Sequence, residues 1–144
     1  MSEIKTEILL NAPIKAAWAQ LTRFESYPQW NPFIIRIEGQ KAVGQTLSVD
    51  ILPPGGKKMT FTPILTQFSE NKTFRWIGTL GPKWLFQGEH YFQLEEVDAK
   101  TTRLIHGEVF SGLLAPIFNL LMKKSTRAGF GLMNLKLSQI LTNK

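Results

Sequence analysis

The chain has 144 residues, 43% of them hydrophobic and 19% charged, which predicts a single domain over residues 1–144 with a sizeable core. It contains no cysteine, so disulfides, thiolate metal sites and a cysteine nucleophile are excluded. The net charge of +6 is compatible with anionic partners, but the basic residues are mostly scattered and form no nucleic-acid motif, so we expect no nucleic-acid partner and at most a weak membrane-surface contact.

The N-terminal segment predicts a strand rather than a targeting signal. Residues 1–7 contain no continuous apolar core, unlike a signal peptide. Residues 3–10 mix Ile and Leu with charged residues, as a strand does. No stretch of the chain approaches the roughly 20 apolar residues that span a bilayer. We therefore expect a cytoplasmic protein.

Two short helical segments follow this strand. Pro13 suits the first position of a helix, and the apolar residues after it are spaced four and three apart, which indicates one apolar helix face. Residues 24–33 are aromatic and contain two prolines. Because each proline pushes the preceding residue out of the helical region, this segment predicts one helical turn followed by a fixed loop.

Six further strands are predicted before the C-terminal segment, at residues 33–38, 46–52, 59–69, 73–80, 84–97 and 101–111. Short turns connect most of them, which is typical of antiparallel neighbours. Pro63 interrupts the third of these strands and favours an edge or a bulge at that point.

Residues 113–141 predict one long helix that begins near Ala115 and runs roughly 40 Å. Its apolar residues recur at three- and four-residue spacings, so we expect that face to pack on the sheet. Ser125 interrupts the apolar side, and Gly129 and Gly131 remove side chains from it. Two explanations remain open: a cavity between helix and sheet, or a bend or close approach to another element. The opposite face, which we expect to meet water, carries Lys123, Arg127, Asn134 and Ser138.

The last hairpin brings polar residues to the inner face of the sheet. Pairing around a turn centred on Ala99 places His90 opposite Glu108 and Phe92 opposite His106, and directly opposite residues share a face. The same construction on the preceding hairpin places Trp76 opposite Gly88. The inner face of the first strand of the last hairpin then carries Trp84, Phe86, Gly88, His90, Phe92 and Leu94.

Three ionisable side chains on an apolar face are costly unless they are paired, which leaves two interpretations. His90 and Glu108 bond to each other in a purely structural role, or the group lines a pocket and orients the polar end of an apolar ligand. General acid–base chemistry by His90 or His106 is compatible with imidazole titration near neutral pH. No metal and no cofactor are predicted, since a motif such as H-E-x-x-H is missing.

The aromatic residues can form either core or pocket wall. Trp18 is most simply a core residue of its short helix, whereas Trp76 and Trp84 fit core and wall equally. Trp30 and Phe33, in the proline-bounded loop, form a structural plug or close one end of a cavity. The predicted ligand-binding set is Trp30, Phe33, Trp76, Trp84, Phe86, His90, Phe92, His106, Glu108, Phe110, Ser125 and Gly129.

Four segments, at residues 27–33, 74–78, 88–92 and 106–112, resemble the START-like (SRPBCC) superfamily, and within it the polyketide-cyclase/dehydrase-like group. The resemblance implies an α+β helix-grip fold of order β-α-α-β6-α. In this fold a curved seven-stranded antiparallel sheet clasps the C-terminal helix around a hydrophobic cavity. No catalytic residue of the characterised cyclases is carried over, because no position-by-position match to them is present.

The superfamily includes lipid carriers, plant hormone binders, aromatic cyclases and a co-chaperone branch, so the fold does not fix the function. The first hypothesis is binding or carriage of a small hydrophobic, lipid- or polyketide-like ligand with one polar end. The alternative is a cyclase or dehydratase with His90 or His106 as the proton-transfer group. The further alternative is a co-chaperone-like interaction module, for which Leu113, Leu120 and Phe130 are the best candidates on the helix surface.

Overall fold

The computed structural model describes residues 2–143. Within this range the chain forms eight strands, three α-helices and one 3₁₀ turn at Phe24–Ser26. The helices are α1 (Ile14–Leu21), α2 (Tyr27–Trp30) and α3 (Ala115–Thr142). The strands are β1 (Ser2–Leu10), β2 (Ile34–Glu38), β3 (Ser48–Ile51), β4 (Met59–Phe61), β5 (Ile64–Ser69), β6 (Thr73–Thr79), β7 (Gln87–Asp98) and β8 (Thr101–Ser111).

The strands form two antiparallel sheets, a five-stranded one in the order β1-β8-β7-β6-β5 and a three-stranded one in the order β2-β3-β4. The α+β class with a long C-terminal helix packed on an antiparallel sheet is confirmed, but the single seven-stranded sheet is wrong. The strand predicted at residues 59–69 is divided at Pro63, which has no N–H for a ladder. Backbone hydrogen bonds from Leu47 N to Pro63 O (2.8 Å) and from Leu65 N to Gln45 O (2.9 Å) join the two sheets there.

The proline-bounded segment forms more helix than expected, because the 3₁₀ turn leads directly into α2 with Pro28 in its first turn. Asn31 then ends the helix. Its Oδ1 accepts hydrogen bonds from the backbone N–H groups of Phe33 (3.0 Å) and Ile34 (2.9 Å). These bonds fix the entry into β2, so the position of Phe33 follows from a local cap.

The register of the last hairpin is confirmed, with His90 opposite Glu108 and Phe92 opposite His106. The β6–β7 register is wrong by two residues, because Trp76 lies opposite His90 and not Gly88. A two-residue shift keeps each side chain on its face, so the indole still points inward.

Residues 84–86 form no strand, and this explains the register error. The turn that begins at Pro82 continues through Leu85, whose N–H bonds to Pro82 O at 3.0 Å. Strand β7 therefore begins at Gln87. Trp84 lies in the turn with 67% of its surface exposed, so its predicted place on an inner strand face is wrong.

Helix α3 buries a different face from the one predicted. Ile117, Leu121, Leu132 and Leu135 are exposed, although their spacing suggested the core side. The buried residues are Ala115, Thr126, Gly129, Phe130, Met133, Asn134, Leu137 and Leu141. The helix carries apolar residues on both sides, and the spacing of apolar residues alone does not choose between them.

Because α3 buries this other face, the predictions for two of its residues are wrong. Asn134 is buried, and its side chain is hydrogen-bonded to His106 inside the protein. Phe130 is completely buried. Leu113 and Leu120 remain on the surface, at 69% and 83% exposure. Of the three surface candidates for an interaction module, Phe130 is therefore wrong.

The core lies between α3, α1 and the concave face of the five-stranded sheet. Phe74 is its centre, with rings of Trp18, Phe24 and Phe92 around it. Tyr27 is fully buried and donates its hydroxyl hydrogen to Leu21 O at 2.5 Å, and burial raises the pKa of its phenol. No helix within residues 2–143 is long and apolar enough to cross a membrane.

Candidate functional site

A cavity of about 340 Å³ lies between the five-stranded sheet, the three-stranded sheet and the N-terminal half of α3. Most of its wall is apolar. Strands β6 to β8 contribute Trp76, Gly78, Gly88, His90, Glu108 and Phe110, and β3 and β4 contribute Val49, Ile51, Met59 and Phe61. Further wall residues are Phe33, Phe86, and Phe118 and Thr126 of α3.

Two glycines lie on the floor of this cavity. Gly78 and Gly88 lie opposite each other on adjacent strands. A Cβ added at Gly78 would have only Pro63 within 4 Å, at 3.8 Å. At Gly88, a Cβ would lie 2.6 Å from Oε2 of Glu108. The absence of a side chain at Gly88 therefore leaves the space that the Glu108 carboxyl group occupies.

Glu108 and His90 form the polar part of the wall. Oε1 of Glu108 lies 3.5 Å from Nδ1 of His90. The Glu108 side chain keeps 20% of its surface accessible, whereas the His90 side chain keeps 1%. The carboxyl group is thus the more accessible part of this pair.

A continuous hydrogen-bonded chain runs from His90 into the core. Its Nε2 lies 2.8 Å from Nε2 of His106, and Nδ1 of His106 lies 2.8 Å from Oδ1 of Asn134. Nδ2 of Asn134 donates to Oγ1 of Thr6 at 2.8 Å, and that hydroxyl donates to the carbonyl oxygen of His106 at 2.8 Å. Strands β1, β7 and β8 and helix α3 are therefore joined by one polar network.

His106 is the buried centre of this network. Its ring stacks on Phe130 at 4.1 Å between centroids and lies 4.3 Å from that of Phe92. Burial, and then the neighbouring His90, lower the pKa of His106 well below its usual range, against a smaller opposing effect of Asn134. His106 is therefore neutral at physiological pH.

The structure places the predicted residues in three groups. Half of the predicted set lies on the cavity wall: Phe33, Trp76, Phe86, His90, Glu108 and Phe110. Phe92 and His106 lie behind that wall in the core, and Trp30 is a core residue whose Nε1 donates to Ser26 Oγ at 3.0 Å. Away from the wall lie Trp84, in its exposed turn, Ser125 and Gly129.

Ser125 and Gly129 do not make room for a cavity. Ser125 donates a hydrogen bond to Pro54 O at 3.3 Å, which ties α3 to the β3–β4 loop. A Cβ added at Gly129 would have three ring carbons of Phe33 within 3.0 Å. The close-approach explanation is therefore correct for Gly129, and the cavity lies one to three turns nearer the N-terminus of α3.

The sequence reasoning missed two sets of site residues. The first is the wall formed by β3 and β4. The sequence shows alternating apolar residues there, but it does not show which part of the protein they face. The second is Thr6, Thr126 and Asn134. The signal for Asn134 was its spacing of four from Phe130 and three from Leu137, which marks the second apolar face of α3.

The chemistry of the site is that of a carboxyl–imidazole pair in an apolar pocket. Within residues 2–143, no three His, Asp or Glu side chains lie close enough together to hold a metal ion. The arrangement can accept and donate hydrogen bonds through Glu108, and it can transfer a proton between Glu108 and His90.

Comparisons with known proteins identify a family and a shared fold. The family described as polyketide cyclase/dehydrase and lipid transport matches residues 1–137. No curated protein matches the chain in sequence. Among solved structures, a START superfamily protein from Mycobacterium smegmatis superposes with a TM-score of 0.76 at 20% identity, covering 98% of this chain and 97% of that one.

Two similar structures are enzymes by their descriptions. An aromatase/cyclase from Streptomyces sp. R1128 has a TM-score of 0.70 at 12% identity, covering 94% of this chain and 93% of its own. A norcoclaurine synthase from Thalictrum flavum, solved with a transition-state analogue, has a TM-score of 0.73 at 12% identity. The superposition covers 99% of this chain and 94% of that one. At these identities the likeness establishes the fold alone. The family match covers nearly all of the sequence, and the chain belongs to the polyketide cyclase/dehydrase and lipid transport family.

Proposed function

We propose that the chain binds a small, largely apolar molecule in the cavity, with the polar end of that molecule against Glu108 and His90. The observation that carries the proposal is an open, preformed space of about 340 Å³. Ligand pockets begin at about 300 Å³ and combine apolar walls with a few converging polar groups. A protein core packed to normal density leaves few voids larger than a water molecule, so a purely structural role does not account for a space of this size.

The exposure of Glu108 supports the same conclusion. A carboxyl group on an apolar wall is costly to bury unless it is paired, and here it has one imidazole neighbour at 3.5 Å. A residue with only a structural role in this position would be expected to be apolar. The family description, which names both cyclases or dehydrases and lipid transport, is compatible with such a ligand.

Native mass spectrometry of the protein as purified is the first test, because a co-purifying molecule identifies the ligand class directly. The second is uptake of Nile red, an uncharged apolar dye, by the wild type and by Gly78→Val. Valine at Gly78 projects into the cavity and should abolish saturable uptake. Gly131→Ala is the matched control, since a Cβ there meets nothing within 4 Å. Equal uptake by all three proteins would contradict binding in this cavity.

A second function, proton-transfer catalysis on a polyketide-like substrate, is favoured by one specific observation. Glu108 and His90 face each other inside an apolar enclosure, where a carboxyl–imidazole pair can act as general acid and base. His106 lies behind His90 and does not line the cavity, so only His90 of the two histidines is in a position to act with Glu108.

The catalytic proposal is tested by hydrogen exchange at carbon. The protein is incubated in D₂O with a small aromatic β-keto compound, and deuterium uptake beside the carbonyl group is measured by mass spectrometry. General-base catalysis contributes about a hundredfold at the lower end. Glu108→Gln should therefore reduce the protein-dependent exchange rate at least tenfold. Glu89→Gln, on the outer face of the same strand pair, should leave it unchanged. A rate that Glu108→Gln leaves intact would rule out this role.

A further inference from the structure

The hydrogen atoms of the internal polar network can be assigned from one end. The Thr6 hydroxyl has a single hydrogen, which it donates to the His106 carbonyl oxygen. It must therefore accept from Asn134, which requires the amide nitrogen of Asn134 on that side and its oxygen on the His106 side. The Asn134 oxygen is only an acceptor, so Nδ1 of His106 carries a hydrogen.

The hydrogen positions of His90, at the cavity, follow from those of His106. Since His106 is neutral and has its hydrogen on Nδ1, its Nε2 is an acceptor. Nε2 of His90, 2.8 Å away, must donate to it. The one remaining imidazole nitrogen of the chain, Nδ1 of His90, faces Oε1 of Glu108 at 3.5 Å. Oε1 is therefore the carboxyl oxygen that lies against the imidazole.

The second carboxyl oxygen of Glu108 is the one that meets the cavity. Oε1 makes the contact with His90, and Oε2 lies over Gly88 on the cavity floor. Oε2 is therefore the hydrogen-bond acceptor that this wall offers to a ligand.

The rest of the wall supplies no fixed positive charge. Among residues 2–143, the wall includes no Lys and no Arg, although the chain as a whole carries a net charge of +6. Thr79 and Thr126 carry hydroxyl groups on the wall, and hydroxyl groups accept as readily as they donate. A ligand carboxylate in this cavity would be a buried charge without a partner, which is strongly unfavourable.

We infer that the cavity selects an uncharged apolar molecule bearing a hydroxyl group, an alcohol or a phenol, which donates a hydrogen bond to Oε2 of Glu108, and that it rejects the matching carboxylate. This inference rests on the proposed binding function and names the class of ligand. The net positive charge of the whole chain would instead predict a preference for acids. A comparison of an alcohol with the matching acid therefore distinguishes the two expectations.

The test compares 2-naphthol with 2-naphthoate by isothermal titration calorimetry at pH 7. The wild type should bind 2-naphthol at least tenfold more tightly. Glu108→Leu removes both carboxyl oxygens and therefore the acceptor, so the preference of this variant for 2-naphthol should fall to within about threefold. Glu89→Gln, which removes the same charge from the outer face where Glu89 pairs with Arg75, should keep the wild-type preference.

Gly88→Ala is a second variant that keeps every polar group. Its Cβ would lie 2.6 Å from Oε2, so the flexible carboxyl group must move, and the preference for 2-naphthol should again decline. If wild type binds both compounds equally, or if Glu108→Leu leaves the ratio unchanged, the inference is wrong while cavity binding stands. If neither compound binds, the proposed function itself fails.

A separate observation concerns the exposed face of α3. Its apolar stripe is formed by Ile117, Leu120, Leu121, Leu132 and Leu135, all exposed. With 3.6 residues per turn, Lys124 lies within this stripe, and Arg127 and Lys136 flank it on either side. Helix α3 contains four basic residues and no acidic residue.

We propose that this stripe binds an anionic lipid surface. An apolar helix face on a helix whose charged residues are all cations matches the chemistry of such a surface, where apolar burial and attraction to acidic headgroups act together. A second copy of the chain fits less well, because a two-fold contact through the stripe would bring Lys124 of both copies together. The same helix forms part of the cavity wall through Phe118 and Thr126, so a docked protein would hold its cavity near the lipid.

Vesicle sedimentation tests this surface. The protein should sediment with phosphatidylcholine vesicles only when they contain phosphatidylglycerol, and less so at high salt. The double variant Leu120→Gln and Leu121→Gln should reduce the bound fraction at least tenfold, while Leu9→Gln, an exposed leucine of β1, should not. Binding unaffected by the double variant, or a dimer in light scattering that the double variant dissociates, would overturn the proposal.

Discussion

The two ends of the space between α3 and the five-stranded sheet differ in packing although they are built from the same kinds of residue. At the closed end, the His106 ring stacks on Phe130 and lies 4.3 Å from that of Phe92, and the ring of Phe33 lies against Gly129. At the open end, Phe86, Phe110 and Phe118 surround a cavity. Aromatic content therefore does not separate core from pocket. The space beside one glycine at each end does differ, because the ring of Phe33 occupies it at Gly129 and it is open at Gly78.

The largest expected effect is at the closed end. Gly129→Leu should destabilise the protein by about 3 kcal/mol, because the new side chain overlaps the Phe33 ring and a filled core does not absorb extra volume. Urea denaturation with circular dichroism measures this change. Gly131→Ala on the same helix should instead raise the free energy of unfolding by up to about 1 kcal/mol. An unchanged or stabilised Gly129→Leu protein would mean that space exists at this site after all.

Asn134→Leu should have the next largest effect, about 2 kcal/mol of lost stability. It leaves the Nδ1 hydrogen of His106 without an acceptor in a fully buried position, and an unsatisfied buried donor costs about 1–3 kcal/mol. Ser138→Leu, on the same helix but not fully buried, serves as the control. If the two variants unfold at the same urea concentration, the network contributes little to the closed end.

The dependence of stability on pH is a third test of the closed end. The pKa of folded His106 is below that of the unfolded state because of burial. Below about pH 6.5 the unfolded chain binds a proton at this histidine that the folded chain does not, so stability falls as the pH falls. The slope contributed is at most about 1.4 kcal/mol per pH unit.

The groups facing His106 are His90 on β7, Asn134 on α3 and Thr6 on β1. Urea denaturation between about pH 7 and pH 5 should show the slope in the wild type, and a smaller one in His106→Leu. Asp50 does not explain it, because hydrogen bonds from Arg36 and Thr60 lower the pKa of that carboxyl to about 2, and the stability it adds is lost only below about pH 4. A flat wild-type profile would contradict the neutral, buried state of His106.

The contrast between the two ends also shows how far the sequence determines this structure. The β7–β8 register was predictable, because a short turn at Ala99 and strict alternation allow one pairing in which His90 and Glu108 meet. The β6–β7 register was not, because the turn that begins at Pro82 consumes residues through Leu85 that continue the alternating pattern of the strand. A local pattern does not reveal how many of its residues a turn will use.

Helix α3 shows a different limit. Apolar residues occur on both of its sides, so periodicity alone offers two orientations that are nearly equivalent. The fit of Phe33 against Gly129 and the hydrogen bond between His106 and Asn134 select one of them, and both partners are distant in sequence. The candidate site was therefore predictable on the strands and only partly predictable on the helix.

The smallest effect on stability is expected at the open end, where it also has the clearest functional consequence. Gly78→Val should change the free energy of unfolding by less than about 1 kcal/mol, since the nearest atom to the new Cβ is Pro63 Cβ at ordinary contact distance, 3.8 Å, and valine has a higher strand propensity than glycine. The same side chain occupies part of the cavity, so uptake of Nile red and of 2-naphthol should be lost.

Stability is measured by urea denaturation and binding by fluorescence titration on the same preparation. A Gly78→Val protein that is as destabilised as Gly129→Leu would show that the open end is packed in solution. One that folds normally and still binds both compounds would show that they bind elsewhere on the molecule.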